Sequence, residues 1–198
     1  MGRGFLTFRF ARWLLAALSV ALLSSLPTAS SGTEEKAYNL NGKAVDPLQM
    51  APGKTVVLIF VRTDCPVANR YAPTIQRLSA AYAGKAAFYL VYPSKTESAE
   101  AIRKHEREYG YTIPALRDPQ HVLVKKSQAQ VTPEAAVFDA NRKLVYHGRI
   151  DDLYVDMTRA RSVATTHDLA DAIQAALDGK PLTAEQMPGV GCYISDLE

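Results

Sequence analysis

The sequence is short of cysteine and of tryptophan. Its 198 residues include two Cys, at 65 and 192, and one Trp, at 13. Two cysteines allow at most one disulfide within the chain. The four histidines, His105, His121, His147 and His167, share no close metal-ligand spacing with one another or with either cysteine, so no metal site is expected. Internal repeats and low-complexity linkers are also missing, and 198 residues suffice for one domain with a real core. Acidic residues are absent from residues 1–29, where Arg3, Arg9 and Arg12 supply three positive charges. Without that segment the formal charge of +3 at pH 7 falls to zero. The basicity therefore belongs to the N-terminus, and no basic patch argues for a nucleic-acid partner.

No apolar run is long enough to span a bilayer, which takes about 20 residues. Trp13 to Leu26, interrupted only by Ser, is the nearest to one. It follows the basic leader and precedes Pro27, Thr28, Ala29, Ser30 and Ser31, small residues of the kind a signal peptidase accepts. Residues 1–30 read as a secretory signal peptide, with an uncleaved membrane anchor as the alternative. No cysteine lies near the cleavage region, which argues against a lipid-anchored form. The remaining domain, residues 34–198, is expected in the periplasm or another extracytoplasmic compartment, where disulfides persist. Apolar residues make up 47% of the chain, so disorder is not expected.

The pattern of elements is regular. Thr55 to Val61 is a short, β-branched, continuously apolar run after Pro52-Gly53, the mark of a buried central strand. Pro66 opens a stretch with Val67, Tyr71, Ile75, Leu78 and Tyr82 at helical spacing. Pro73 is expected to kink or split that helix. Ala86 to Tyr92 is a second buried strand. Ser98 to Tyr109 is a charged helix with a mostly solvated face, His105 included, ended by Gly110. His121 to Gln128 is a short helix or turn. Glu134 to Asp139 and Lys143 to His147 form a hairpin around Ala140-Asn141-Arg142. Thr166 to Asp178 is a closing helix with Leu169, Ile173 and Leu177 on one face. Asn39 to Lys43 is placed at the turn of a small N-terminal hairpin.

Chemistry concentrates in Thr63-Asp64-Cys65-Pro66, where the first strand ends and the first long helix begins. A thiol there meets unsatisfied backbone N–H groups and the positive end of the helix dipole, which favour the nucleophilic thiolate. Arg70 adds positive charge and Asp64 opposes it. An inert buried cysteine is the plainer alternative. The return strand of the hairpin brings Gly148 and Arg149 back towards the same end of the sheet. Arg149 is a candidate to stabilise a thiolate or an anionic leaving group, or else a surface partner of Asp151 or Asp152. Cys192 lies in Gly189-Val190-Gly191-Cys192, whose glycines suggest a flexible arm. The arm could bring a resolving thiol to Cys65; a bond to another subunit and a free thiol are the alternatives.

These residues resemble a known family. Strand–Thr63-Asp64-Cys65-Pro66–helix, Val131-Thr132-Pro133-Glu134-Ala135-Ala136-Val137-Phe138-Asp139, and Leu144 to Asp152 (LVYHGRIDD) are similar to the redoxin branch of the thioredoxin superfamily, the alkyl hydroperoxide reductase/thiol-specific antioxidant group. The nearest pattern is that of exported bacterial proteins with DCPxxNRYAP, RIDD and a terminal GCxI. The resemblance covers residues 37–194. It implies an α/β, thioredoxin-like fold with a central mixed sheet flanked by helices, and a cis bond before Pro133 whose loop packs on Cys65.

It also implies a thiol-dependent oxidoreductase, peroxiredoxin-like or working by thiol–disulfide exchange. Cys65 would be its nucleophile and Cys192 its resolving thiol. Thr63, Pro66, Thr132, Pro133 and Arg149 would shape the site. The expected partners are an external thiol reductant or a disulfide-bearing protein, with a peroxide or a disulfide as substrate and no organic cofactor. The departures are local. Ala68 stands where thioredoxin has the second cysteine of CxxC, and Asn69 where copper chaperones of this fold have the second of CxxxC. Arg62 stands where peroxiredoxins carry Thr or Ser three residues before the reactive cysteine. The rival reading is a non-catalytic module for copper delivery or for redox of a partner's thiols.

Overall fold

The computed structural model describes residues 36–183 and 185–195. The segment read as a signal peptide, residues 1–30, lies outside them. In chain order the elements are β1 (Ala37–Asn39), β2 (Ala44–Val45), α1 (Pro47–Met50), β3 (Thr55–Phe60), α2 (Pro66–Ala81), β4 (Ala86–Tyr92) and α3 (Ala99–Tyr109). Then come β5 (Ala115–Arg117), α4 (Val122–Ser127), β6 (Val131–Thr132), β7 (Glu134–Phe138), β8 (Leu144–Gly148), α5 (Asp168–Leu177) and β9 (Cys192–Tyr193). Among the described residues, no helix is long and apolar enough to cross a membrane.

Seven strands form one mixed sheet in the order β2-β1-β5-β4-β3-β7-β8. β3 pairs in parallel with β4 and antiparallel with β7, so the first strand read from the sequence is central. All six of its residues are buried. Its side chains alternate between the two faces, as a strand's must. Val57 and Ile59 join one core cluster, with Val67, Tyr71 and Ile75 of α2, Ile102 of α3, and Leu169 and Ile173 of α5. Val56, Leu58 and Phe60 join the other, with Leu48 of α1, Leu123 and Val124 of α4, and Ile194. The result is the expected α/β, thioredoxin-like arrangement, with helices on both faces of the sheet.

One local expectation is narrowed and another corrected. Pro73 lies inside α2, which runs from Pro66 to Ala81 without splitting. Proline removes one backbone donor, but Val67, Tyr71, Ala72 and Ile75 bury both halves of the helix in the same cluster and hold it together. α3 starts on Ser98, whose side chain accepts from Ala101 N, and ends on Gly110 in the left-handed region, as its sequence suggests. Its His105, however, is buried rather than solvated.

Candidate active site

The site lies at the C-terminal end of β3. The chain leaves the strand through Val61, whose N–H donates to Val91 O at 2.9 Å, and turns at residues 62–65 into α2. Cys65 is the N-cap residue of α2, with extended backbone angles, and Pro66 supplies the preset φ of the first turn. Asn69 N donates to Cys65 O at 3.0 Å, closing the first helical turn. Cys65 itself is fully buried. Its Sγ donates to the Thr132 carbonyl at 3.0 Å.

Thr132 precedes Pro133 through a cis peptide bond, as the resemblance implies. The loop that carries them is clamped from within. Glu134 is buried, and its Oε2 accepts from Gln130 N at 2.7 Å and from Val131 N at 3.1 Å. Sequence reading did not single out Glu134. The signal was its place directly after a strand-opening proline, where an acid can reach back to two N–H groups.

Cys192 arrives on β9, which pairs antiparallel with β6 in the register Thr132↔Cys192 and Val131↔Tyr193. The segment is not a loose arm. Ile194 N donates to Gln130 O at 2.9 Å, and the Ile194 side chain is buried in the second core cluster. At the near end, Arg149 N donates to Met187 O at 2.9 Å and His147 N donates to Gln186 Oε1 at 3.0 Å. The glycines serve close approach. A Cβ on Gly191 would run into the Thr132 carbonyl, and one on Gly189 would come within 2.9 Å of the Pro133 carbonyl oxygen. The strap thereby seats Cys192 against the core cluster that contains Cys65. Burial is the main cause of a raised Cys192 thiol, reinforced by contact with the Cys65 thiol. The Arg62 charge works in the opposite direction, and Asp64 adds to the rise. Both thiols are free.

Arginines are distributed differently from expectation. Arg149 has its guanidinium 3.0 Å from Asp168 Oδ1 and 3.1 Å from Thr166 Oγ1. Neither Asp151 nor Asp152 is the partner, because the chain turns away after Gly148 and the start of α5 faces Arg149 instead. Asp151 accepts from the Tyr71 hydroxyl at 2.6 Å, and Asp152 pairs with Arg161 at 3.2 Å. Arg70 lies over the Tyr154 ring, 5.8 Å from its centroid. The cation that acts on the Cys192 thiol is Arg62, itself paired with Asp64 at 2.9 Å.

Behind Cys65 runs a polar network that sequence reading missed. Glu97 Oε1 accepts from Thr63 N at 2.7 Å and from Thr63 Oγ1 at 2.6 Å. Asn69 Nδ2 donates to Thr63 O at 3.1 Å, which leaves Asn69 Oδ1 to accept from His105 Nε2 at 2.8 Å. His105 Nδ1 then accepts from the Tyr92 hydroxyl at 2.8 Å. Because the Thr63 carbonyl can only accept, the network fixes the Asn69 amide and the neutral His105 tautomer together. Burial lowers the His105 imidazole below its ordinary value, against a smaller opposing effect of Glu108.

Neither cysteine lines the cavity of about 500 Å³ bounded by Leu78, Ile150, Leu153, Val163 and Ala170. Among the described residues, no group of three His, Cys, Asp or Glu could hold a metal ion.

Comparison with known proteins agrees with this architecture. Residues 23–160 match the Redoxin family model, and the chain belongs to the redoxin family. Cys192 lies beyond the matched segment. Among solved structures, a hypothetical protein from Sinorhizobium meliloti 1021 is 26% identical, with a TM-score of 0.69 over 80% of this chain and 88% of that one. An uncharacterized conserved protein from Geobacillus kaustophilus is also 26% identical, with a TM-score of 0.69 over 80% and 86%. A secreted Mycobacterium tuberculosis disulfide oxidoreductase homologous to E. coli DsbE is 20% identical, with a TM-score of 0.52 over 71% and 94%, a likeness of fold. No curated protein matches the chain.

Proposed function

We propose that the protein is an extracytoplasmic thiol–disulfide oxidoreductase whose working couple is Cys65 and Cys192. The observation that carries this reading is the β6–β9 pairing, which holds Cys192 opposite Thr132 while the Cys65 thiol donates to the same residue. Two thiols far apart in sequence are so brought into one contact. Membership of the redoxin family and the fold shared with a secreted disulfide oxidoreductase support the assignment. In the reaction, two protein thiols give two electrons and two protons to an outside disulfide, which becomes two thiols as the Cys65–Cys192 bond forms. The reverse accepts electrons from an outside thiol reductant.

Thr132 and Pro133 form one wall of the site, and Pro66 sets the helix start. Thr63 links the turn to the network behind it. A disulfide suits the site better than a peroxide. Arg62 stands where peroxide activation calls for a hydroxyl side chain three residues before the nucleophile. The basic and apolar start of the chain supports export.

The test is turnover of a disulfide substrate with an added reductant by wild type, Cys65→Ser and Cys192→Ser. Loss of turnover in both variants is expected; unchanged turnover in Cys65→Ser would refute the assignment. Cell fractionation tests the location.

A further inference from the structure

The two sulfurs of the couple are not equivalent in access. Cys65 has no exposed surface, lying within the first core cluster with its Sγ on the Thr132 carbonyl. Cys192 is partly exposed and packs against that cluster from outside. It rides on a strand of only two residues, and its neighbour Tyr193 is 79% exposed. Displacement at a disulfide sulfur takes place in line with the sulfur that leaves. An attack on Cys65 would have to reach a sulfur with no exposed surface, inside the buried cluster that includes Val67 and Ala68. Cys192 is the sulfur of the pair that keeps exposed surface, and an outside thiol has access to it.

We infer that outside thiols attack the disulfide form at Cys192, so that the mixed disulfide forms there and Cys65 is the inner, leaving thiol. This rests on the dithiol–disulfide reading above and reverses the division of labour expected when a helix-start cysteine meets the substrate itself. The thiolate RS⁻ bonds to Cys192 Sγ, the Cys65–Cys192 bond breaks, and its electron pair departs on Cys65. The leaving sulfur sits at the N-terminus of the 16-residue helix α2, where negative charge is favoured. A second RS⁻ then attacks the sulfur of the bound R group. RSSR is released, Cys192 leaves as thiolate, and each cysteine takes up one proton. In the opposite direction the Cys192 thiolate attacks RSSR and expels one RS⁻, forming the mixed disulfide; the Cys65 thiolate then attacks Cys192 Sγ and expels the second RS⁻. Cys65 remains the internal nucleophile, but its electrophile is always Cys192.

The position of the strap sets this order, and Gly191 sets the position of the strap. Any side chain at 191 meets the Thr132 carbonyl, so Gly191→Ala must lift the strand from β6 and open the way to Cys65.

The experiment uses the protein in its disulfide form, with glutathione as the outside thiol and N-ethylmaleimide to cap each thiol as it is released. Tandem mass spectrometry locates the two adducts. Glutathione on Cys192 with maleimide on Cys65 is expected, in about tenfold excess or more over the reverse pattern. In Gly191→Ala the share of glutathione on Cys65 rises. The reverse pattern or an even split in the wild type overturns the inference while leaving the couple intact. A protein in which no Cys65–Cys192 disulfide forms under oxidation overturns the couple itself, and this inference with it.

Discussion

Thr132 and Cys192 face each other across an antiparallel strand pair, and the Thr132 hydroxyl donates to the Cys192 carbonyl at 3.4 Å. Thr132 thus holds both cysteines, one through its carbonyl and one through its strand and hydroxyl. Beyond Cys192 the strap is anchored by Ile194, which is buried in the core. Ile194→Ala should cost about 2–5 kcal/mol of the strap's local anchoring, the usual range for a buried aliphatic truncation. Alkylation of Cys65 by iodoacetamide in the reduced native protein should become faster. An unchanged alkylation rate would show that Ile194 does not keep the strap closed.

Asn69 ties the turn before Cys65 to α3. Its amide nitrogen donates to Thr63 O and its amide oxygen accepts from His105. Asn69→Ala leaves the His105 N–H and the Thr63 carbonyl without these partners. A loss of about 1–3 kcal/mol is expected from urea unfolding. The equilibrium between dithiol and disulfide, read in a glutathione redox buffer, should shift with it, because the turn that positions Cys65 is no longer held.

His105 gives the fold a pH dependence. Its folded pKa lies below the ordinary histidine value of about 6.5, chiefly through burial, so in the interval below 6.5 the unfolded chain binds more protons than the folded one. Stability is therefore full above about pH 6.5 and declines as pH falls towards the folded pKa. The groups around the ring are Tyr92 on β4, Asn69 on α2, Tyr109 and Glu108 on α3, and Tyr111 beyond it. Urea midpoints at pH 7.5 and 5.5 should drop for the wild type. They should drop less for His105→Gln, which keeps a donor towards Asn69 but does not titrate.

The arginines separate chemistry from framework. Arg62 acts to lower the Cys192 thiol, so Arg62→Ala should raise it further and slow alkylation of Cys192 in a Cys65→Ser background. Arg149 should behave differently. Burial works to raise the Asp168 carboxyl, but the hydrogen bonds from Arg149 and Thr166 hold it below its ordinary value. Arg149→Ala leaves that carboxylate without its cation, at a cost of about 1–3 kcal/mol, with little change in Cys192 alkylation.

Much of this fold is legible in the sequence because its strongest signals are local. The run Thr55 to Val61 declares a buried strand, and Pro66 and Gly110 punctuate helices where the structure has their ends. Placement of Cys65 at a helix start followed from the same punctuation. What escaped were contacts between distant segments. β5 and β6 are three and two residues long and stand only through their partners. His105 looked solvated because its helix is full of charge, yet Tyr92 and Asn69 close over that one position. Arg149 follows a strand in sequence, but Asp168, distant at the start of α5, sets its role. Gly189 and Gly191 suggested flexibility, where the structure uses them to bring backbone against backbone.

The most direct test of the central claim is the pairwise oxidation of the two thiols. The protein is equilibrated across a series of glutathione redox buffers, quenched in acid, and its remaining thiols are alkylated and assigned by mass spectrometry. The account predicts that Cys65 and Cys192 lose reactivity together, as one two-electron couple, and that the linking peptide Cys65–Cys192 is recovered within a single chain. Independent oxidation of the two residues, or glutathione adducts with no Cys65–Cys192 bond at any potential, would contradict it.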